Sequence, residues 1–552
     1  MLLQRWLIRL WQSYSAVGLL AGTLFFAASL TPSLLPRNFV TQGVLSGVSM
    51  AVGYGLGLLA LLLWDYMELP KPRERAGRTV KIVAALVCAV IVLTFLWRAA
   101  EWQNSIRLLM QLPPVDSAHP TKVGLIGLVT FIVLVALARL FGLIYRRASR
   151  FTGRYVPRRV SNVVGFAIAA ILFVTIANGV IFRFALHMAD SSYKRLDALI
   201  EDDLPPPGAP NKTGSQASLL RWDELGRTGR NYIAKGPTRQ DIESFLHHDA
   251  MEPVRVYAGL RSAETPQERA KLALEELKRV GGFERSALVV ITPTGTGWID
   301  PEAVDPLEYL HGGDIASVGV QYSYLASWLA LLVEPDYGTE TSRALFHEVY
   351  DYWTTLPKDQ RPKLYLYGLS LGALSSTQSS ELFEVLADPY DGALWAGPPY
   401  STRMWRSITA DRNPGSPEWL PKFRDGSYVR FTAQKNALDI PGAHWGPMRV
   451  VFLQYASDPI TFFQYSAGYR APDWMHDPRG PDVSPQLSWY PIVTLLQLTL
   501  DVAMATTTPM GYGHVYAPEH YIDAWVAVMN VQWPQEEIDR LKAFFEQRRH
   551  EQ

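Results

Sequence analysis

Cysteine is almost missing from this chain. Cys88 is the only one in 552 residues, so no disulfide can form within the chain and stability cannot rest on cross-links. Net charge is missing too: Lys plus Arg and Asp plus Glu number 52 each, and nothing in the bulk electrostatics points to nucleic acid. The eleven histidines form no His-Glu-x-x-His, and with one cysteine there is no Cys-x-x-Cys, so no metal is expected. His247-His248-Asp249 is the densest cluster, but adjacent histidines point different ways and read as a solvated helix face. There is no Walker loop, and Gly295-Thr296-Gly297 lacks the third glycine of a dinucleotide fingerprint, so no cofactor is expected either.

What the chain has instead is apolar length. A hydrophobic fraction of 48% and 17 tryptophans are high for a soluble enzyme and indicate membrane contact. Five apolar segments, near 13–33, 40–64, 79–97, 122–144 and 161–183, are each long enough to span a bilayer, which takes about 20 residues. The connections at 65–78 and 145–160 carry the basic residues, among them Lys71, Arg73, Arg146, Arg147 and Arg150. By the positive-inside rule the N-terminus and both basic loops are cytoplasmic, and an odd number of spans puts everything after residue 185 on the far side. Few ionisable residues sit inside the spans, so the segment reads as an anchor rather than a transport path. Gly18 and Gly22, and Gly53 and Gly57, have the spacing that lets helices approach closely, and read equally as glycine simply tolerated in lipid.

Three parts are therefore expected: a transmembrane helical domain over 1–189, a linker and strap over 190–252, and a catalytic domain over 253–552. The linker is marked by Glu201, Asp202 and Asp203, followed by Leu204-Pro205-Pro206-Pro207-Gly208, a stiff and exposed composition. Beyond it the hydrophobic period changes. Strand signals at 254–260, 287–291, 315–320, 364–367, 392–395 and 449–455 alternate with helical faces at 268–280 and 341–356. Strands alternating with helices predict a mostly parallel sheet with helices on both faces, whose active groups gather beyond the carboxyl ends of the strands.

One stretch lies at such an end. Leu364-Tyr365-Leu366-Tyr367 breaks into Gly368-Leu369-Ser370-Leu371-Gly372, a Gly-x-Ser-x-Gly nucleophile elbow with Ser370 on a tight strand-to-helix turn. The pattern alone is weak, since a chain this long shows it by accident about one time in five. Its partners strengthen it. A hydroxyl nucleophile needs a base, and the base needs an orienting acid, in the order Ser, Asp, His. Asp458 stands just past the buried run 450–455, before Pro459, where the bland alternative is a turn or helix N-cap. His514 lies in the glycine loop Pro509-Met510-Gly511-Tyr512-Gly513-His514 and is the expected base. His520 is the rival, at a helix start, and His444 and His476 rank lower. One oxyanion donor is the backbone N–H of Leu371; a second comes from Thr294 or Gly295 in Thr292-Pro293-Thr294-Gly295-Thr296-Gly297-Trp298, after a buried strand. The aromatic and proline-rich stretch between Phe462 and Met510 reads as a lid, a lipid-facing cap or a packed insertion.

These residues resemble the bacterial membrane-anchored α/β-hydrolase family, which pairs an N-terminal multi-helix membrane domain with a C-terminal catalytic domain. The similarity rests on Thr31-Pro-Ser-Leu-Leu-Pro-Arg37, Thr292–Trp298, Gln321-Tyr-Ser-Tyr-Leu325, Gly368–Gly372, Leu394-Trp-Ala-Gly-Pro-Pro399 and Ser457-Asp-Pro459, and covers nearly the whole length. It implies an α/β-hydrolase fold and a serine hydrolase site, and no particular substrate. Leu369 and Tyr455 depart from the family's usual Glu and His. The expected function is a serine hydrolase in the cytoplasmic membrane of a bacterium, with its catalytic domain extracytoplasmic. It would cleave an ester or thioester of lipid or envelope origin through Ser370, His514 and Asp458. Acyl transfer by the same residues is a close alternative, and a non-catalytic receptor or assembly protein on a hydrolase scaffold is a distinct one.

Overall fold

The computed structural model describes residues 14–70, 74–175, 197, 204–325 and 337–551. The chain forms two compact units. A helical unit comprises residues 1–186 together with 464–476 and 481–504, and an α/β unit comprises 187–463, 477–480 and 505–552.

Five described helices run through the first part of the helical unit: α1 (Ala16–Ser29), α2 (Phe39–Tyr66), α3 (Glu74–Arg107), α4 (Pro120–Thr152) and α5 (Arg158–Val174). Ser15 caps α1 through the N–H of Gly18, Asn38 caps α2 through those of Val40 and Thr41, and Pro120 opens α4. Among the described residues three helices, not five, are long and apolar enough to cross a membrane: Phe39–Tyr66, Lys81–Arg107 and Pro120–Thr152. The first expected span is shorter because Pro32 and Pro36 stop helix propagation. Leu30, Leu34 and Leu35 then bury themselves in the irregular segment after α1, at 1% exposure or less. The 14 residues of α1 rise only about 21 Å, less than a hydrocarbon core. In the fifth, 17 residues are helical and the stretch 176–183 lies outside the described residues.

The glycine spacing has a steric cause. A Cβ on Gly57 would lie 2.7 Å from the Cα of Gly18, and one on Gly22 would lie 2.8 Å from the carbonyl oxygen of Met50, so α1 and α2 meet backbone to backbone.

Residues 464–476 and 481–504, from the stretch between Asp458 and His514, are built into this helical unit. Asp501, in the helix Val493–Ala503, accepts Nε of Arg37 at 3.3 Å and the N–H of Leu34 at 3.1 Å, and both charged side chains are buried. Gln497 donates to the carbonyl oxygen of Thr31, Ser484 meets Ser105 at 2.7 Å, and Gln103 accepts the N–H of Arg37. The insertion thus lies across the ends where α2 begins and α3 stops.

From residue 204 the α/β unit continues as an ordered strap: Arg279 donates to the carbonyl oxygen of Pro210 at 2.6 Å. The expected linker residues 190–196 and 198–203 lie outside the described residues. Seven parallel strands follow: β1 (Val254–Ala258), β2 (Ala287–Thr292), β3 (Ile315–Val320), β4 (Lys363–Leu369), β5 (Gly392–Ala396), β6 (Val429–Thr432) and β7 (Arg449–Leu453). Their order is β1-β3-β2-β4-β5-β7-β6, so β4 is the centre. Every residue of β2 and β3 is buried, as parallel strands covered on both faces require. Each fully buried Val, Leu or Ile contributes about 1.5–3 kcal/mol. The helices pack in two groups. The helix Pro266–Arg279, started by a Thr265–Glu268 capping box, lies with Tyr337–Thr355; Pro301–Leu310 lies with Pro518–Met529.

Candidate active site

β4 ends at Leu369, and the helix Leu371–Ser376 starts one residue after Ser370. Between them Ser370 takes φ +57° and ψ −125°, a region that costs a side-chain-bearing residue about 1–3 kcal/mol. The surroundings enforce it. The N–H of Ser370 donates to the carbonyl oxygen of Ala396 at 3.0 Å, and its carbonyl oxygen accepts the N–H of Leu374. Neither flanking glycine tolerates a side chain: a Cβ on Gly368 would sit 2.4 Å from the backbone of Gly372, and one on Gly372 would sit 2.2 Å from the carbonyl oxygen of Thr292.

Two strands away, β7 delivers Asp458. Its carboxylate is fully buried and does two jobs at once. Oδ1 accepts the N–H of Ile460 at 2.8 Å and caps the short helix Pro459–Phe462; Oδ2 lies 2.7 Å from Nδ1 of His514. The cap and the His514 contact thus use different oxygens of the same carboxylate. The glycine loop that carries His514 is tied down next to it: the N–H of Gly513 donates to Oγ of Ser457, and that of His514 to the carbonyl oxygen of Ala505. The other ring nitrogen of His514, Nε2, is buried and makes no hydrogen bond among the described residues.

Gly397 brings the two halves together. It follows Ala396, the residue that holds the N–H of Ser370, and has φ +50°. A Cβ there would lie 2.6 Å from Cε1 of His514. The imidazole therefore packs on the same strand end that fixes the elbow. Gly397 and Tyr516 were not singled out from the sequence. Gly397 stood inside the conspicuous Leu394–Pro399 stretch, and Tyr516 two positions after His514.

Tyr516 donates its O–H to Oδ2 of Asp458 at 2.7 Å, and its ring stacks on Tyr455 at 4.4 Å. The rival His520 reaches this cluster only through Tyr455. Its Nδ1 meets the hydroxyl of Tyr455 at 2.6 Å, and burial pushes its pKa down to about 4. His444 and His476 are exposed and lie in other loops.

The Thr292–Trp298 loop follows β2, next to β4 in the sheet, and Thr292 pairs with Gly368. Tyr257 and Gln321 pin it through the carbonyl oxygens of Gly297 and Thr296. Within it the N–H of Thr294 donates to the carbonyl oxygen of Trp298 at 3.0 Å. Leu371, first residue of its helix, has an N–H with no intrahelical acceptor. No group of three or more His, Cys, Asp or Glu side chains that could hold a metal occurs among the described residues.

A model of an alpha/beta-hydrolase family matches residues 254–541, and one for the N-terminus of an alpha/beta-hydrolase family matches 30–237. The chain belongs to this alpha/beta-hydrolase family, which points to hydrolase chemistry. No curated protein and no solved structure matches it.

Proposed function

We propose that this protein is a membrane-anchored serine hydrolase that cleaves an ester or thioester through Ser370, His514 and Asp458. The observation that carries the reading is the 2.7 Å contact between His514 and Asp458, packed on the strand end that holds the Ser370 elbow. In this mechanism Oγ of Ser370 attacks the acyl carbon while Nε2 of His514 takes its proton. Asp458 holds the imidazole by Nδ1 and stabilises the imidazolium. The N–H of Leu371 and one from the Thr294–Gly295 turn receive the developing oxyanion, each donor lowering the barrier by about 3 kcal/mol. His514 then protonates the leaving group, water attacks the acyl-enzyme, and Ser370 is released.

The address follows from charge and chain length. Within the helical unit, the ends bearing Arg146, Arg147, Arg150, Arg154, Arg158 and Arg159 lie opposite the ends on which the insertion rests. The positive-inside rule makes the basic ends cytoplasmic and the insertion extracytoplasmic. In this reading the residues after 185 are extracytoplasmic, at the cytoplasmic membrane of a bacterium, and membrane lipid or a lipid-borne acyl group is the substrate within reach.

The test is turnover of acyl esters and thioesters by the detergent-solubilised full chain, compared with Ser370→Ala. The wild type releases free acid and the variant does not. Equal turnover by both would remove Ser370 from the mechanism, and transfer of the acyl group to an added alcohol in place of release would mark an acyltransferase.

A further inference from the structure

Two donors converge on one oxygen of Asp458. Nδ1 of His514 and the hydroxyl of Tyr516 both lie 2.7 Å from Oδ2, and Oγ1 of Thr461 approaches the same atom at 3.3 Å. A carboxylate oxygen that shares its charge among several donors binds each of them less strongly. Tyr516 is fixed in this competition. It is 2% exposed, its ring stacks on Tyr455, and it meets the His514 ring edge-on at 5.8 Å. A side chain on Gly397 would strike both rings, with a Cβ 2.9 Å from Cε2 of Tyr516.

We propose that Tyr516 is a positioning residue that sets the strength of the Asp458–His514 hydrogen bond and thereby the pH range over which His514 works as a base. This rests on the serine hydrolase reading above. The ionisable groups around Tyr516 are few. Asp458 and His514 face it from their loops, Tyr455 from the end of β7, and Tyr521 from the helix Pro518–Met529 at 6.1 Å. Behind these stand His520, bonded to Tyr455, and Tyr367 and Asp300, both bonded to Tyr521. Burial, reinforced by the charge of Asp458, holds the Tyr516 phenol protonated far above its ordinary range, so it remains a donor at every working pH. Without its hydroxyl, the charge on Oδ2 acts undivided on the imidazolium, and His514 keeps its proton to higher pH.

The test uses the full chain in detergent and follows the rate of fluorophosphonate labelling against pH. In Tyr516→Phe the acidic limb moves up by about half a pH unit, which slows labelling on the limb about threefold. Thr461→Val moves the limb less, in the same direction. A second readout needs no catalysis: the downfield proton resonance of the Nδ1–H···Oδ2 bond, assigned by its loss in His514→Gln, moves further downfield in Tyr516→Phe. A limb or a resonance that stays at its wild-type position in a normally melting Tyr516→Phe protein overturns the proposal, as does a limb that moves to lower pH. If Tyr516→Phe does not fold, Thr461→Val carries the same test. If the wild type fails to label at any pH while the resonance still moves downfield, the hydrolase reading fails and the role of Tyr516 stands.

Discussion

Asp458 holds His514 through Oδ2 at 2.7 Å while its other oxygen, Oδ1, caps a helix by accepting the N–H of Ile460. This division separates the acid's orienting task from its structural one. Asp458→Asn retains a carbonyl oxygen that can cap, but cannot hold His514 in the required tautomer. Turnover is expected to fall about 10⁴-fold with little loss of stability. Melting temperature and kcat, measured together on Asp458→Asn and Asp458→Ala, check this: both lose activity, and only the alanine variant also loses the cap, worth about 1 kcal/mol.

Gly397 supplies a second prediction. The backbone there has a positive φ, and a methyl group would enter the space of the His514 ring. Gly397→Ala should push the imidazole aside by a fraction of an ångström or more. Such a misplacement costs about 10²-fold in rate. A kcat/KM within twofold of wild type would show that the ring does not need this packing.

In the helical unit, Arg37 and Asp501 form a buried pair with no exposed alternative for either charge. Arg37→Ala leaves the carboxylate uncompensated and should destabilise the unit by about 3–5 kcal/mol, whereas Arg37→Met with Asp501→Leu should recover most of this. Thermal melting in detergent, with protease sensitivity of residues 481–504, gives the comparison.

Asp300 predicts a pH dependence of stability. It is buried, it accepts the hydroxyl of Tyr521 and the N–H of Glu302, and burial pushes its pKa up to about 8 from an ordinary 3.8. The folded protein therefore holds this proton up to about pH 8, while the unfolded chain releases it near pH 4, so stability falls as pH rises through that window. Asp300→Asn should flatten the slope and melt higher than wild type above about pH 8. A shallower slope remains from Glu302, pushed up to about 6 mainly by its burial. Parallel melting curves for the two proteins across the range would contradict the assignment.

The elbow and its strand were legible because Gly368-Leu-Ser-Leu-Gly372 is local: one turn dictates all five residues. The parallel sheet was legible from apolar runs such as 287–291, which only a strand covered on both faces needs. β6 was not, because Val429–Thr432 is four residues long, at the sheet edge, with Arg430 in the middle. The length of α1 was misread because apolar count does not reveal that Pro32 and Pro36 end the helix and turn Leu34 and Leu35 inward. The packing of residues 481–504 on the helical unit hangs on Arg37 meeting Asp501, a contact 464 residues apart that no local pattern announces. Tyr516 was hidden for a similar reason, since its spacing from His514 says nothing about which way its hydroxyl points.

The most direct measurement is the site of covalent capture. The detergent-solubilised full chain is treated with a fluorophosphonate, digested and analysed by mass spectrometry. One adduct is predicted, on the peptide containing Ser370, absent from Ser370→Ala and strongly slowed in His514→Gln. A folded wild-type protein that takes up no label, or carries it on another residue, would contradict the account.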